Sequence, residues 1–493
     1  MPLSDPKYLL YLLSVFTLYY FLRSGTPRVL LLVAASYLFY FNLSGYYVFV
    51  LVAVTVIAYM GGLLLSALVG KKRRGLLFVL LCTIALAPLI IFKYLHFFLG
   101  VGAGLISLSS LKIQAPQFSL LLPIGISFFT FAALGYLIDI YLETSEPERR
   151  PLQFALFLAF FPLITAGPIE RGERLLPQLS LGATFSSARA VAAFRLILIG
   201  LILKLVFADN LVGPVDAMYS APQNFIPLEK LFALVSYMFY VYADFAGYSL
   251  IAIGSAKLFG IEVQPNFQQP FLSQSVPEFW RNWHISLSSW VRDYLFTPLR
   301  MQWRYYPVGG MIAALMLSFI IVGAWHGAGW GFILFGVMHG LLVAGSVYTV
   351  NFRNSIWAVV GMPTLLICVG RIALTFVLVM LTFVVYRANS VFDAMLIYRD
   401  VFSIDLIRNI WYGLKLAIVY PGEPLAVTLI TLHSLGLVII PLIVLGDILV
   451  HNKIVLEKMS LPVQVLFYNV GIGLVLYSWA SANTGQPFLY YKF

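Results

Sequence analysis

Residues 305–352 read YYPVGGMIAALMLSFIIVGAWHGAGWGFILFGVMHGLLVAGSVYTVNF, a stretch without one Asp, Glu, Lys or Arg. About 20 apolar residues cross a bilayer as a helix, so this run predicts two crossings, over 309–325 and 328–350, parted by the glycines around position 327. Comparable charge-free runs occupy 29–70, 75–92, 151–169, 424–446 and 459–491. They make 61% of the 493 residues hydrophobic and leave only 10% charged, against about 25% charged in soluble domains. A water-soluble globular protein and a disordered chain are therefore excluded. A transmembrane β-barrel would show alternating segments of about ten residues, which these unbroken runs lack. The fold class predicted is all-α: a polytopic transmembrane helical bundle, read as one integral domain over 1–493.

Working outward, Asn42-Leu43-Ser44-Gly45 is a turn signal that divides the run at 29–70 into two helices. Lys71-Lys72-Arg73-Arg74 is the densest short basic loop and is placed in the cytoplasm by the positive-inside rule. The turn at 42–45 then faces outside, the loop with Arg23 and Arg28 inside, and the chain starts outside with a retained first span. Further spans are expected near 75–99, 151–166, 188–207, 230–259, 356–386 (one long or two short), 426–449 and 462–482. Segments 119–142 and 265–300 mix apolar residues with Pro, Gly, Asp and Arg, the pattern of re-entrant or interfacial pieces shielded by protein. The net charge of +11 reflects cytoplasmic loops rather than a nucleic-acid partner. Cys82 and Cys368 form no disulfide framework, and no histidine or carboxylate spacing proposes a metal.

Of the six histidines, three fall between 284 and 339. His326 stands in Trp325-His326-Gly327 at membrane depth, where ionisable groups are costly and default to a functional reading; a structural interhelical hydrogen bond is the alternative. His284 lies in a segment that, as one helix over 278–295, puts Arg281, His284, Ser288 and Arg292 on one face and Phe279, Trp283, Leu287, Trp290 and Tyr294 on the other. That basic face would approach phosphates or a carboxylate, or simply snorkel at the interface. His339 is read as supporting, and His96, His433 and His451 as structural. Asp139 and Asp244 are membrane-depth acids whose plain reading is pairing with Lys204, Arg195 or another buried base.

Seven strings, Leu122–Phe131, Ala166–Ile169, Asp244–Ser249, Trp283–Ser288, Trp325–Gly327, Tyr386–Ala388 and Pro487–Phe493, together resemble the membrane-bound O-acyltransferase family, in its bacterial alginate O-acetylation branch. The resemblance implies helices around a central tunnel and an acyltransferase with His326 as its essential histidine and His284 beside it. Arg281, Ser288, Arg292, Asp293, Trp325 and Asp244 would line the substrate path. It further implies an acyl thioester donor, acetyl-coenzyme A first among them, with no bound cofactor and no metal. The acceptor would be an extracytoplasmic polysaccharide or partner protein, reached from a bacterial inner membrane and surrounded by membrane lipid. Chemically, an imidazole can take a proton from an attacking hydroxyl and return it to the leaving thiolate. Leu250, where the family usually has an acid, and Arg300-Met301, where Gly-Gly is common, depart from the pattern. Relays of D-alanine to teichoic acid and acetylation of peptidoglycan use the same architecture. A transporter or a non-catalytic scaffold is the reading of another class, since membrane-depth Asp and His also mark ion pathways.

Overall fold

Lipid offers no hydrogen-bond partner to a backbone amide, so an apolar run at membrane depth satisfies its own N–H and C=O groups by coiling into a helix. The computed structural model describes residues 1–68, 70–107, 121–360, 362–419, 439–444, 446, 460–481 and 488, and no strand occurs among them. Eight of the described helical stretches are long and apolar enough to cross a membrane, and the protein is a multi-pass, all-helical membrane protein. The span expected at 426–449, His433 and His451 fall mainly or wholly outside the described residues, as does the C-terminal string except Phe488.

The chain divides into two compact units. The first comprises Met1–Leu198 and Tyr248–Pro265. Helix α1 (Pro6–Phe21) starts on Asp5, whose carboxylate accepts from the Lys7 amide, an N-cap that satisfies one orphan donor. Helices α2 (Thr26–Ser44) and α3 (Val48–Ala67) part at Gly45, whose φ of 58° is one that glycine adopts without steric cost; the turn expected there is present. Helix α4 (Lys71–Ser107) is followed by α5 (Ile126–Tyr141). Arg74, in the first turn of α4, pairs with Glu143, just past the end of α5, so the two run antiparallel.

From Ile126 the segment expected to be a protein-shielded piece is one unbroken, largely buried helix, with Asp139 inside it, and it is shorter than the helices long enough to cross. One expectation is corrected here. The span expected at 151–166 is only α6 (Pro151–Ala159). Pro162 removes a donor and clashes with the preceding turn, and residues 161–166 form a turn instead. Nine residues rise about 14 Å as a helix, too little to cross. Helix α7 (Gly172–Leu181) follows.

The second unit comprises Ile199–Gly247 and Asn266–Leu489. Helix α8 (Ser187–Leu201) passes into a π-helical stretch, Ile202–Ala208, and continues as α9 (Asp209–Ser220). Helix α10 (Pro227–Leu258) packs so closely where α8 passes into that stretch that a β-carbon on Gly247 would lie 2.7 Å from the Gly200 carbonyl oxygen and 3.0 Å from the Lys204 amide nitrogen. Short helices α11 (Val276–Asn282), α12 (Ile285–Val291) and α13 (Thr297–Gln302) come next, with a π-turn at Arg292–Phe296 between the last two. Helices α14 (Gly309–His326) and α15 (Trp330–Tyr348) fulfil the two crossings read from the charge-free run. They press backbone to backbone, because Gly323 faces the Phe332 carbonyl and Gly336 that of Phe319, positions with no room for a side chain. Gly336 and Gly340 repeat the small-x-x-x-small spacing of close membrane helix pairs. Helix α16 (Val350–Val360) and α17 (Thr364–Arg387) resolve the expected span at 356–386 into two helices, of which α17 alone is long enough to cross. Leu461–Ala480 is the last crossing described.

Candidate active site

The segment around His284 is not one amphipathic helix. Helix α11 stops at Asn282, and His284 takes a left-handed conformation (φ 45°, ψ 55°) before α12 begins. Neither Gly nor Pro marks the break. It is imposed by the strap at Asn266–Gln268: the Gln268 amide donates to the Asn282 carbonyl at 2.9 Å, and the Ile285 amide donates to the Asn266 carbonyl at 2.9 Å. The Asn266 side chain completes the clamp, its Oδ1 accepting from the Ser286 amide at 3.3 Å and from the Ser286 hydroxyl at 2.9 Å. An oxygen that accepts from a backbone amide can only accept, so His284 Nδ1, 3.2 Å away, carries the proton and donates. The imidazole is thereby fixed as the tautomer with its lone pair on Nε2. It is fully buried, and the Phe245 ring stands edge-on to it at 4.7 Å.

His326 ends α14 and is 4% exposed. Its Nδ1 lies 3.4 Å from the Tyr386 hydroxyl at the end of α17, and the Phe335 ring of α15 packs against it. Trp325 stands between the two histidines, 5.6 Å from the His284 ring and 5.0 Å from that of His326. These two legs bound the imidazole separation at about 11 Å. Sequence reading thus named three residues that the fold gathers on one buried wall, His284, Trp325 and His326. It did not name Asn266 or Tyr386, which orient them.

The other named residues lie elsewhere. Once the helix breaks at His284, Arg281, Ser288 and Arg292 no longer share its face; they line a cavity of about 490 Å³ between α11–α12 and α14–α15 to which neither catalytic candidate contributes. Asp293 pairs with Arg292 at 2.7 Å on the exposed rim. Asp244 is fully buried beside Lys204 Nζ at 2.6 Å, and Lys204 also meets Asp209 at 2.8 Å. The π-helical turn explains the second contact: its hydrogen bonds run i to i+5, the Asp209 amide donating to the Lys204 carbonyl, so residues five apart stack one turn above the other. The pairing expected for Asp244 is the one observed. His339 is fully buried and doubly held, accepting at Nδ1 from the Trp280 indole at 3.1 Å and lying 2.8 Å from Thr382 Oγ1 through Nε2. The Thr382 hydroxyl itself donates to the Val379 carbonyl, so His339 donates to Thr382 and is a neutral strut between α11, α15 and α17.

The model of the membrane-bound O-acyltransferase family matches residues 149–387, which contain both histidines and every partner just described. A probable alginate O-acetylase of Pseudomonas syringae is 33% identical over 82% of this chain and 75% of its own length. The peptidoglycan O-acetyltransferase of Helicobacter pylori is 30% identical over 68% of this chain and 66% of its own. A teichoic acid D-alanyltransferase of Streptococcus thermophilus is 32% identical over 50% of this chain and 62% of its own. The chain belongs to the membrane-bound O-acyltransferase family and is an acyltransferase.

Proposed function

We propose that this protein moves an acetyl group from a cytoplasmic thioester, acetyl-coenzyme A, to a hydroxyl on the other side of a bacterial plasma membrane. The acceptor hydroxyl belongs to a cell-envelope polysaccharide or to a partner protein that passes the acetyl on. The observation that carries this reading is the buried wall on which Trp325 separates two histidines whose orientations are held by Asn266 and Tyr386. Acetyl is preferred over D-alanyl because the relatives named for acetylation cover 68–82% of this chain and the D-alanyltransferase 50%.

In this reading His326 is the base. With Nδ1–H directed to the Tyr386 oxygen, its Nε2 lone pair takes the proton from the acceptor hydroxyl as the oxygen attacks the thioester carbonyl. The C–S bond breaks as the tetrahedral intermediate collapses, and the imidazolium returns the proton to the departing thiolate, giving ester and thiol with no net proton change. His284, its Nδ1 proton directed to Asn266, presents Nε2 as an acceptor and helps align the acceptor substrate. Positioning of this kind supplies much of the acceleration that holding two reactants together allows.

The test is transfer of radiolabelled acetyl from the thioester to an envelope polysaccharide or extracytoplasmic partner by purified protein in vesicles. His326→Ala is expected to lower turnover by about 10²–10⁴ while expression and thermal stability stay near wild type. A variant that keeps most of its turnover removes His326 from the chemistry and assigns the base to another group.

A further inference from the structure

The cavity that holds Arg281 and Arg292 has a lining whose chemistry selects its occupant. Its walls are apolar, with Leu287, Leu315, Phe319, Val322 and Val343 among them. Three serines line it too, and all three hydroxyls are committed to carbonyls nearby: Ser288 to Trp283 at 3.0 Å, Ser289 to Ser286 at 3.1 Å and Ser318 to Ala314 at 2.7 Å. The Trp280 indole points away, to His339. What the side chains offer a ligand is therefore hydrocarbon surface, three hydroxyl oxygens whose protons are already donated and which can only accept, and two guanidinium groups on exposed residues. Arg281 forms no ion pair among the described residues, and Arg292 is partnered by Asp293.

A ligand seated here must present an anion at one end and no group needing a hydrogen-bond donor along the rest. The amide-bearing arm of a thioester cofactor fits less well, since its carbonyls meet no side-chain donor between the guanidinium groups and the apolar walls, and each buried acceptor left without a partner costs about 1–3 kcal/mol. A phospholipid meets that requirement. A methylene fills about the volume of a water molecule in the liquid, about 30 Å³, so about 490 Å³ accommodates a single acyl chain of ordinary length. Arg281, Arg292, Arg300 and Arg304 fall within one short stretch of sequence. Such a density of positive charge beside spans marks the cytoplasmic side, where anionic lipids concentrate and basic pockets between helices take their head groups.

We propose that this cavity is a binding site for one anionic phospholipid, its chain between α12 and α14 and its phosphate on Arg281 and Arg292. The site is separate from the histidine wall, and the proposal stands whether or not the acyl-transfer reading holds. The experiment is native mass spectrometry of the full chain released from nanodiscs of equal phosphatidylglycerol and phosphatidylcholine. Wild type is expected to retain one phosphatidylglycerol in at least tenfold preference over phosphatidylcholine. Arg281→Gln with Arg292→Gln is expected to reduce that preference to about twofold or less, and Val343→Phe, which fills the cavity, to reduce retention of either lipid. Equal retention of the two lipids by wild type, an unchanged preference in the double variant, or displacement of the lipid by acetyl-coenzyme A overturns the proposal; the last outcome makes the cavity the donor's.

Discussion

Replacing His284 by glycine and by alanine tests the helix break through the sign of one difference. Both variants lose the same hydrogen bond to Asn266, so that loss cancels between them. What remains is the backbone. At φ 45° and ψ 55° a β-carbon costs about 1–2 kcal/mol, which glycine avoids. Glycine gives back about 0.4–1 kcal/mol through the greater freedom of its unfolded chain. His284→Gly should therefore be more stable than His284→Ala by about 1 kcal/mol, the balance of those two terms. In a continuous helix over 278–295 the sign reverses, glycine being worse than alanine by about 1 kcal/mol. The two geometries thus differ by about 2 kcal/mol in a directly comparable pair. Denaturation midpoints in mixed micelles, measured side by side, read the difference. An alanine variant as stable as the glycine variant, or more so, would refute the left-handed break and the tautomer argument built on it.

Three further outcomes are expected. Lys204→Met strands two buried carboxylates and should cost about 3–5 kcal/mol in the same assay, most of it regained when Asp209→Asn and Asp244→Asn are added. Tyr386→Phe removes the hydroxyl beside His326 Nδ1; a hydrogen bond of about 1 kcal/mol corresponds to roughly five- to tenfold in turnover with KM unchanged, and an unaltered kcat would separate Tyr386 from the reaction. A single cysteine introduced at position 72 should resist a membrane-impermeant thiol reagent in intact cells and react after lysis; labelling from outside would invert the assigned topology.

What the sequence disclosed and what it withheld divide along the range of the forces involved. The pair α14–α15 was legible because its signal is local: a charge-free run, glycines at the turn and small residues four apart. The turn at Gly45 was legible for the same reason. The end of α6 was also written locally, in Pro162, and a stricter reading of that proline would have shortened the expected span. The break at His284 was not legible. Trp283-His284-Ile285 carries no helix breaker, and a strap arriving from Asn266 takes the hydrogen bonds that a continuing helix would have used. The same long-range contact hid the site's architecture. His284, Trp325 and His326 were nameable from their sequence context and family resemblance, whereas Asn266 and Tyr386 earn their place only through geometry. Tyr386 did carry a signal, lying in one of the strings shared with the family, and Asn266 directly follows Pro265 in a segment whose composition reads as re-entrant or interfacial.

The wide turn at Ile202–Ala208 gives its helix one place where residue count and register come apart. A turn closed by i to i+5 bonds holds one residue more than an ordinary α turn, so a single deletion inside it is absorbed as the coil closes to ordinary pitch, and Asp209, then four positions from Lys204, keeps its side. Beyond the turn no such slack exists. A regular α-helix advances about 100° per residue, so the same deletion between Asp209 and Asp216 would swing Asp216 and Tyr219, which meet Arg387 and Tyr237, by nearly a third of a revolution. Grafts and chimeras between relatives that cross this helix can therefore differ by one residue at the wide turn but not after it, a distinction invisible in hydropathy.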